Sequence, residues 1–124
     1  MAVTRGSDVL AARVENMAKG QAERLLVLCQ ELVDEAGITL SQIDVIGVGT
    51  GPGNFTGIRI SVSAARGLAL GLDVPAVGVT AFDALGYGQK PPFACAVAAP
   101  RDHVYFQSTA ADGSTGEAAL FHLS

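Results

Sequence analysis

The fold is decided by residues 49–59, which read GTGPGNFTGIR. Four glycines and a proline fall within the first nine of these positions, so the chain must turn sharply there. The apolar run Ile43–Gly49 predicts a buried strand before the turn, and Ile58–Gly71 predicts a helix after it. A strand that leads through a glycine-rich turn into a helix indicates an α/β unit.

The same loop is the first candidate for a binding site, because backbone N–H groups at a helix start can receive an anion. It is not a Walker loop, since no Lys-Ser or Lys-Thr pair closes it. Asn54 stands where the third glycine of the dinucleotide-binding pattern G-x-G-x-x-G belongs. A tight structural turn and a nucleotide-binding loop both stay open. The candidate loop residues are Gly49, Gly51, Pro52, Gly53, Asn54, Phe55, Thr56, Gly57 and Arg59.

Two glycines of the loop carry a structural prediction. Because the loop must reverse from strand to helix within a few residues, we expect Gly53 or Gly57 to adopt a positive φ or to meet neighbouring backbone closely. Ordinary negative φ at both positions, with space around each Cα, would contradict this interpretation.

The clearest helical pattern lies in Gln21–Ala36, and Gly37 provides a C-terminal stop. The apolar residues of this segment spread over an arc of roughly 160°, wider than the ~100° stripe that one core-facing side requires. We therefore expect part of the helix to contact a partner. The residues assigned to that contact are Leu25, Leu26, Cys29 and Val33.

The helix predicted over Ile58–Gly71 carries two apolar faces. The first consists of Ile58, Val62, Ala65 and Ala69, and it is expected to cover the sheet. The second consists mostly of small residues, namely Ile60, Ala64, Gly67 and Gly71. Small residues at this spacing let another helix approach closely. The second face is interpreted either as packing against the first helix or as contact with another subunit.

The remaining chain completes an alternating pattern of strands and helices. This order favours helices packed on a mainly parallel sheet. A composition shift after Pro92 predicts a domain at 1–88, a linker at 89–92 and the start of a second domain at 93–124. The further predicted strands are Val9–Met17, Pro75–Ala81, Phe93–Pro100, Asp102–Thr109 and Glu117–Leu123, with a helix starting in Phe82–Gly88.

Composition limits the function classes open to the chain. The 124 residues carry a net charge of −4, and the eight basic residues are scattered, which argues against tight nucleic-acid binding by this chain alone. Cys29 and Cys95 form no CxxC pair, so neither a disulfide nor a zinc site is expected. No signal-peptide pattern or spanning apolar segment is present, and we expect a cytoplasmic protein with no membrane partner.

Catalytic patterns are weak. His103 and His122 lie in strand-like segments near the end, and no Gly-x-Ser-x-Gly elbow occurs. The only dense polar cluster, Arg101-Asp102-His103, is most simply a solvated turn before a strand. From these patterns we expect no catalytic residue and no metal site.

Residues 49–85 closely resemble the signature of the bacterial TsaB (YeaZ) family. Gly51–Gly57 matches the family's GPGSFTG-type core, and Arg59 follows as it does there. The resemblance extends more loosely to Gln21–Leu26 and to Ala99–Tyr105, so it covers most of the chain.

The resemblance implies an α/β fold of the actin-like ATPase class (ASKHA, ribonuclease H-like), with helices packed on a mixed sheet, in a subunit without catalytic activity. Members of the family pair with the catalytic TsaD protein, joined by the ATPase TsaE, to install threonylcarbamoyl on the adenosine beside the tRNA anticodon. The implied partners are therefore a TsaD-like subunit, a TsaE-like ATPase and tRNA bound only through the complex. The family's dimer contact uses the first two helices, here Gln21–Ala36 and Ile58–Gly71.

Several alternatives remain beside this implication. A homodimer is one, and ATP or ADP at a shared subunit interface is another, although the chain is expected to hold no cofactor of its own. A nucleotide-binding module, or a kinase-like or peptidase-like enzyme of the same fold group, is a third. Relatives open with a strand ending in Asp-Thr or Asp-Ser that is not found before Val9, so we expect the first domain to be truncated at its start.

Overall fold

A computed structural model describes residues 1–124 and contains three α-helices and seven strands. The chain forms two compact units, each made of two segments. The first unit comprises Met1–Val48 and Arg59–Val77, and the second comprises Gly49–Ile58 and Gly78–Ser124. The elements are β1 (Ala2–Arg5), β2 (Asp8–Ala12), α1 (Gln21–Glu35), β3 (Ile46–Gly51), α2 (Phe55–Leu72), β4 (Ala76–Thr80), α3 (Ala81–Gly86), β5 (Phe93–Ala99), β6 (His103–Thr109) and β7 (Ala119–His122).

The predicted helices are confirmed with small changes at their ends. Helix α1 ends one residue earlier than expected, and Gly37 follows it with a φ of 71°. The N–H groups of Gly37 and Ile38 donate to the carbonyls of Asp34 and Val33, which closes the helix in a Schellman arrangement. Helix α2 begins at Phe55, three residues before the predicted start. The predicted strands in the second half of the chain are confirmed as β4 to β7.

The strands pair in three separate sheets, β1–β2, β3–β4 and β5–β6–β7, so the expected mainly parallel sheet is not formed. The first sheet is an antiparallel hairpin because Gly6, with a φ of 59°, turns the chain back two residues before β2. Strand β1 itself was not predicted from the sequence. The third sheet is also antiparallel throughout.

Strands β3 and β4 are joined through α2. The N–H of Ile46, the first residue of β3, donates to the carbonyl of Pro75, just before β4. Further along, the methyl of Thr50 stands 2.9 Å from the place a side chain on Gly78 would occupy. The two strands therefore run in the same direction, and α2 is the crossover helix between them.

The core of the first unit lies between α1 and the hairpin. Leu32 is fully buried, and Leu28 and Ala11 are buried beside it. Val3 packs on this cluster, and it is the cross-strand neighbour of Ala11. One face of α1 is thus fixed to the hairpin by a small number of apolar contacts.

The core of the second unit lies between α3 and the three-stranded sheet. Phe82 and Cys95 are buried, and the thiol of Cys95 points to the Phe82 carbonyl at 3.8 Å. Helix α3 starts in a capping box, in which the Thr80 hydroxyl accepts from the Asp83 N–H while the Asp83 carboxylate accepts from the Thr80 N–H. A short helix is therefore held firmly at its start.

Large apolar side chains remain exposed in each of the two units. They include Val14, Leu26 and Leu70 in the first unit and Phe55, Tyr87 and Phe121 in the second. No helix is long and apolar enough to cross a bilayer.

Two leucines of α1, the buried Leu32 and the exposed Leu26, provide a matched test of which side chains form the core. Leu32→Ala should destabilise the chain by about 2–5 kcal/mol, because it opens a cavity in the small core. Leu26→Ala should change the free energy of unfolding by less than about 0.5 kcal/mol, since Leu26 is 53% exposed. Urea unfolding of both variants measures the difference, and equal losses of stability would contradict the assignment of the core.

Candidate functional site

The glycine-rich loop turns at Gly51, the last residue of β3. Gly51 has a φ of 86°, and a β-carbon there would lie 2.6 Å from Cδ1 of Ile58. Gly53 and Gly57 lack a positive φ, and their nearest contacts to an added β-carbon would be 3.7 and 3.6 Å. The prediction for Gly53 or Gly57 is therefore wrong. The reversal takes place as the strand ends, so the later glycines already lead into the helix.

Asn54 caps helix α2. Its side-chain Oδ1 accepts the N–H of Gly57 at 2.9 Å, and its carbonyl accepts the N–H of Ile58 at 2.9 Å. This cap explains why the helix begins earlier than its apolar pattern predicts. It also means that the protein itself uses one of the N–H donors that a bound phosphate would need. Because Asn54 accepts the Gly57 N–H, the geometry favours a tight structural turn over a phosphate-binding loop at this N–H.

The first turn of α2 is exposed. Phe55, Thr56 and Arg59 all lie at the surface, and the Phe55 ring is 72% exposed. Pro52 is half-buried, and Gly49 has open space where a side chain would stand. A large apolar ring at the surface beside a well-fixed turn is suited to contact with another molecule.

The two faces of α2 differ in burial. Ala65 and Ala69 are buried and Ile58 and Val62 are half-buried, so the first face is covered as predicted. On the second face, Ile60 and Ala64 are half-buried, whereas Gly67 and Gly71 are exposed. Apart from the adjacent residues and the backbone of α2 itself, no atom lies within 4 Å of a β-carbon placed on either glycine. This part of the face is therefore not packed against the rest of the chain, and its assignment to a partner stays a prediction.

Leu70 was missed in the sequence analysis. It is 85% exposed and lies on the polar side of α2. The signal was present in the sequence, because Leu70 falls on the same side as Arg59, Ser63 and Arg66. An apolar side chain among these polar positions is another candidate for contact.

The residues assigned to a partner on α1 divide into two groups. Leu26 is exposed, and Leu25 and Cys29 are half-buried, so these three can still reach another molecule. Val33 is only 3% exposed. Its assignment is corrected, because a side chain enclosed by the chain itself has no surface to offer. The surplus apolar arc of α1 is thus confined to its first half.

The opposite flank of α1 is closed by an ionic cluster. The Arg24 guanidinium contacts Glu15 at 2.6 Å and Glu31 at 2.8 Å. Arg13 contacts Glu31 at 2.8 Å and Glu35 at 2.9 Å. The hydrogen bonds from Arg24 hold the pKa of Glu15 and of Glu31 below the usual glutamate value. The cluster fixes the segment after β2 along this flank, so the flank that contains Leu26 is the one left uncovered.

Other candidate chemistry is limited in residues 1–124. No group of three or more His, Cys, Asp or Glu side chains could hold a metal ion. A pocket of ≈ 220 Å³ lies against α3 and the third sheet, and it is smaller than the roughly 300–1,000 Å³ usual for small-molecule sites. Its lining residues are Phe82, Asp83, Gly86, Tyr87, Phe93, Cys95, Gln107, Thr109 and Thr115.

Comparison with known proteins gives consistent matches. The model of the family described as TsaD, tRNA N6-adenosine threonylcarbamoyltransferase, matches residues 9–120. The tRNA threonylcarbamoyladenosine biosynthesis protein TsaB of Escherichia coli (strain K12) is 35% identical over 77 residues, which are 62% of this chain and 33% of that protein. A tRNA N6-adenosine threonylcarbamoyltransferase of Jannaschia sp. (strain CCS1) is 46% identical over 65 residues, which are 52% and 18%.

The solved structure of YeaZ from Pseudomonas aeruginosa agrees with this result. It matches with a TM-score of 0.67 and 33% identity, and the match covers 86% of this chain and 54% of that one. The class is therefore an α/β protein of the actin-like (ASKHA) fold. The chain belongs to the tRNA N6-adenosine threonylcarbamoyltransferase family, and within it to the TsaB (YeaZ) group. It spans 33% to 38% of the length of the two TsaB proteins from Escherichia coli and Haemophilus influenzae.

The loop generates a paired test. Gly51→Ala should destabilise the chain by about 1–2 kcal/mol or more, because alanine is strained at positive φ and would also press on Ile58. Gly53→Ala is the matched control and should cost less than about 0.5 kcal/mol. The urea midpoints of both variants measure the two losses of stability. A larger loss for Gly53→Ala than for Gly51→Ala would contradict the observed turn.

The ionic cluster generates a pH test. Glutamates with lowered pKa stabilise the folded chain above their unfolded-state pKa, and this contribution is lost as the pH falls through the folded-state pKa. Arg24→Gln should therefore lower stability at about pH 7, and its difference from the parent should shrink toward about pH 3. Lys19→Gln is the control, since Lys19 is exposed and lies outside the cluster. A difference that is independent of pH would show that Arg24 acts through packing alone.

Proposed function

We propose that this chain is a non-catalytic subunit of a machinery that makes threonylcarbamoyladenosine in tRNA. In this role it binds a TsaD-like catalytic subunit through the exposed faces of α1 and α2. The observation that carries the proposal is the uncovered second face of α2. Gly67 and Gly71 have open space around them, although the opposite face of the same helix is buried.

The names of two relatives support a role in making threonylcarbamoyladenosine in tRNA. The Escherichia coli relative is named a tRNA threonylcarbamoyladenosine biosynthesis protein, and the Jannaschia relative is named a tRNA N6-adenosine threonylcarbamoyltransferase. The chain covers 33% of the first and 18% of the second, so the activity and partners of the whole proteins are part of the proposal. Both names concern the same modified nucleoside.

The physical properties of α2 support a binding role. Glycine in a helix interior costs about 1 kcal/mol relative to alanine, and Gly67 lies in the interior of α2. Close approach of another helix would offset this cost, because the missing side chains let two backbones come near each other. The exposed Leu26, Phe55 and Leu70 supply apolar area around such a contact.

The non-catalytic assignment rests on the loop. The Asn54 side chain already binds the Gly57 N–H at 2.9 Å, and no lysine in the loop stands ready for a phosphate. This chain alone is therefore proposed to hold no nucleotide, and ATP or ADP would belong to an interface shared with the catalytic subunit. A TsaE-like ATPase and tRNA would join through the complex, which agrees with the net charge of −4.

The proposal is tested by a charge placed on the second face of α2. Gly67→Arg should weaken association with the TsaD-like subunit of the same cell by several kcal/mol, about a hundredfold or more in affinity. The melting temperature of the chain alone should stay nearly unchanged, because nothing lies within 4 Å of the new side chain's first atom. Calorimetric titration and thermal unfolding measure the two quantities.

Ala111→Arg is the control, since it adds the same charge at an exposed position in the loop between β6 and β7, outside both helices. It should leave association within about threefold of the parent. Unfolding of Gly67→Arg would assign the face to the chain's own core. Unchanged association would place the partner surface elsewhere, and a loss of self-association alone would favour a homodimer. ATP turnover that disappears on mutating one residue of this chain would contradict the non-catalytic role.

A further inference from the structure

Two histidines meet on the third sheet. The register of β6 and β7 places His103 directly opposite His122, and their ring centres are 4.8 Å apart. The two ring planes stand at 86° to each other. Beside the pair, the Leu123 N–H donates to the Asp102 carbonyl at 2.6 Å and extends the ladder past the histidines. The backbone on both sides of the pair is thus held in place.

The hydrogen bond of His103 determines which of its two ring nitrogens carries the hydrogen. Nδ1 of His103 lies 2.6 Å from the carbonyl oxygen of Arg101. A carbonyl oxygen only accepts hydrogen bonds, so Nδ1 carries the hydrogen and donates it. In the neutral ring, Nε2 then bears the lone pair. A histidine whose second nitrogen donates to a backbone carbonyl is the usual arrangement of a metal-binding imidazole, because this bond orients the ring.

The distance between the rings suits a shared ion. A metal bound at about 2.0–2.1 Å from one nitrogen of each ring lies about 3.2 Å from each ring centre. If the two bonds meet at an angle between 90° and the tetrahedral value, the ring centres are about 4.5–5.2 Å apart. The observed separation of 4.8 Å falls inside this range. Because the ring planes stand at 86° to each other, a shared ion requires the exposed His122 ring to turn while the bond to Arg101 holds His103.

We propose that His103 and His122 form a two-histidine binding site for a divalent first-row transition metal ion. Imidazole ligands suit Ni²⁺, Cu²⁺ and Zn²⁺, and affinity should follow the usual order, in which Cu²⁺ binds most tightly. Two protein ligands leave the remaining coordination positions to water or to a ligand from another molecule. His122 is exposed and His103 half-buried, so an ion can reach the pair from solvent.

The proposed ion also joins two strands. β7 is the outer strand of its sheet and pairs only with β6. An ion held by one side chain from each strand binds only when the strands are in their observed register, so binding stabilises that register. The neighbouring charges, Arg101 and Asp102, are of opposite sign and largely offset each other. The site therefore depends mainly on the two imidazoles.

The site is tested with Ni²⁺ and the full 124-residue chain without an affinity tag. Titration calorimetry should show one ion per chain. His103→Ala and His122→Ala should each weaken this binding at least about tenfold, and the double variant should be no more than about threefold weaker than either single one. This non-additivity is expected because one ligand alone no longer chelates. Additive losses, or a double variant that binds Ni²⁺ as tightly as the parent chain, would overturn the site.

Two further measurements keep the test independent of folding. In the parent chain, the ring signals of both histidines should shift together in NMR spectra as the first equivalent of Zn²⁺, which is diamagnetic, is added. A response from one ring only would overturn the proposal, whatever the variants do. Lys90→Ala is the control, since it removes one exposed cation outside the two strands that carry the histidines. It should bind Ni²⁺ within about threefold of the parent, and a loss as large as that of His122→Ala would overturn the assignment.

Discussion

Leu32 is the one large side chain that is completely enclosed, and the contacts around it decide which surfaces of the first unit are covered. Ala11 and Leu28 are buried beside it, and together they hold α1 on the β1–β2 hairpin. This core is small, because it contains few large apolar side chains. Several large apolar side chains therefore remain in solvent, and the proposed partner would cover those on α1 and α2.

The two flanks of α1 show where its exposed apolar side chains lie. The ionic cluster around Arg24 closes one flank, and the core occupies the middle of the apolar arc. The other flank retains Leu26 in solvent. Helix α2 repeats the arrangement, with Ala65 and Ala69 buried on one side and Gly67 exposed on another. Each helix is therefore anchored in the chain and still presents apolar or small residues outward.

The sequence was sufficient for the elements whose signals are local. Helix α1 follows from its apolar periodicity and from Gly37, and the structure confirms both the helix and its C-terminal stop. The glycine-rich loop was located correctly, but the glycine that carries the positive φ was not. That position depends on where β3 ends and on the approach of Ile58, and both are properties of the folded chain. The resemblance to the TsaB family is confirmed by the family match.

Features that depend on strand register could not be predicted. His103 and His122 are far apart in sequence, and they meet only because the loop between β6 and β7 sets the pairing. In that loop the Asp112 carboxylate accepts from the Ser114 N–H, and Thr109 pairs with Thr115. Val33 is a related case, since its position on the apolar arc of α1 does not reveal whether the chain itself covers it. Burial of one side of a helix is decided by tertiary packing.

The central claim is that the exposed faces of α1 and α2 are covered by a TsaD-like subunit. Hydrogen exchange measured with and without that subunit tests it most directly, because amides of an element that is covered on binding exchange more slowly. Peptides from residues 21–35 and 55–72 should gain protection, whereas peptides from 93–109 should exchange as before. Protection confined to residues 93–109, or no change in either helix, would contradict the claim.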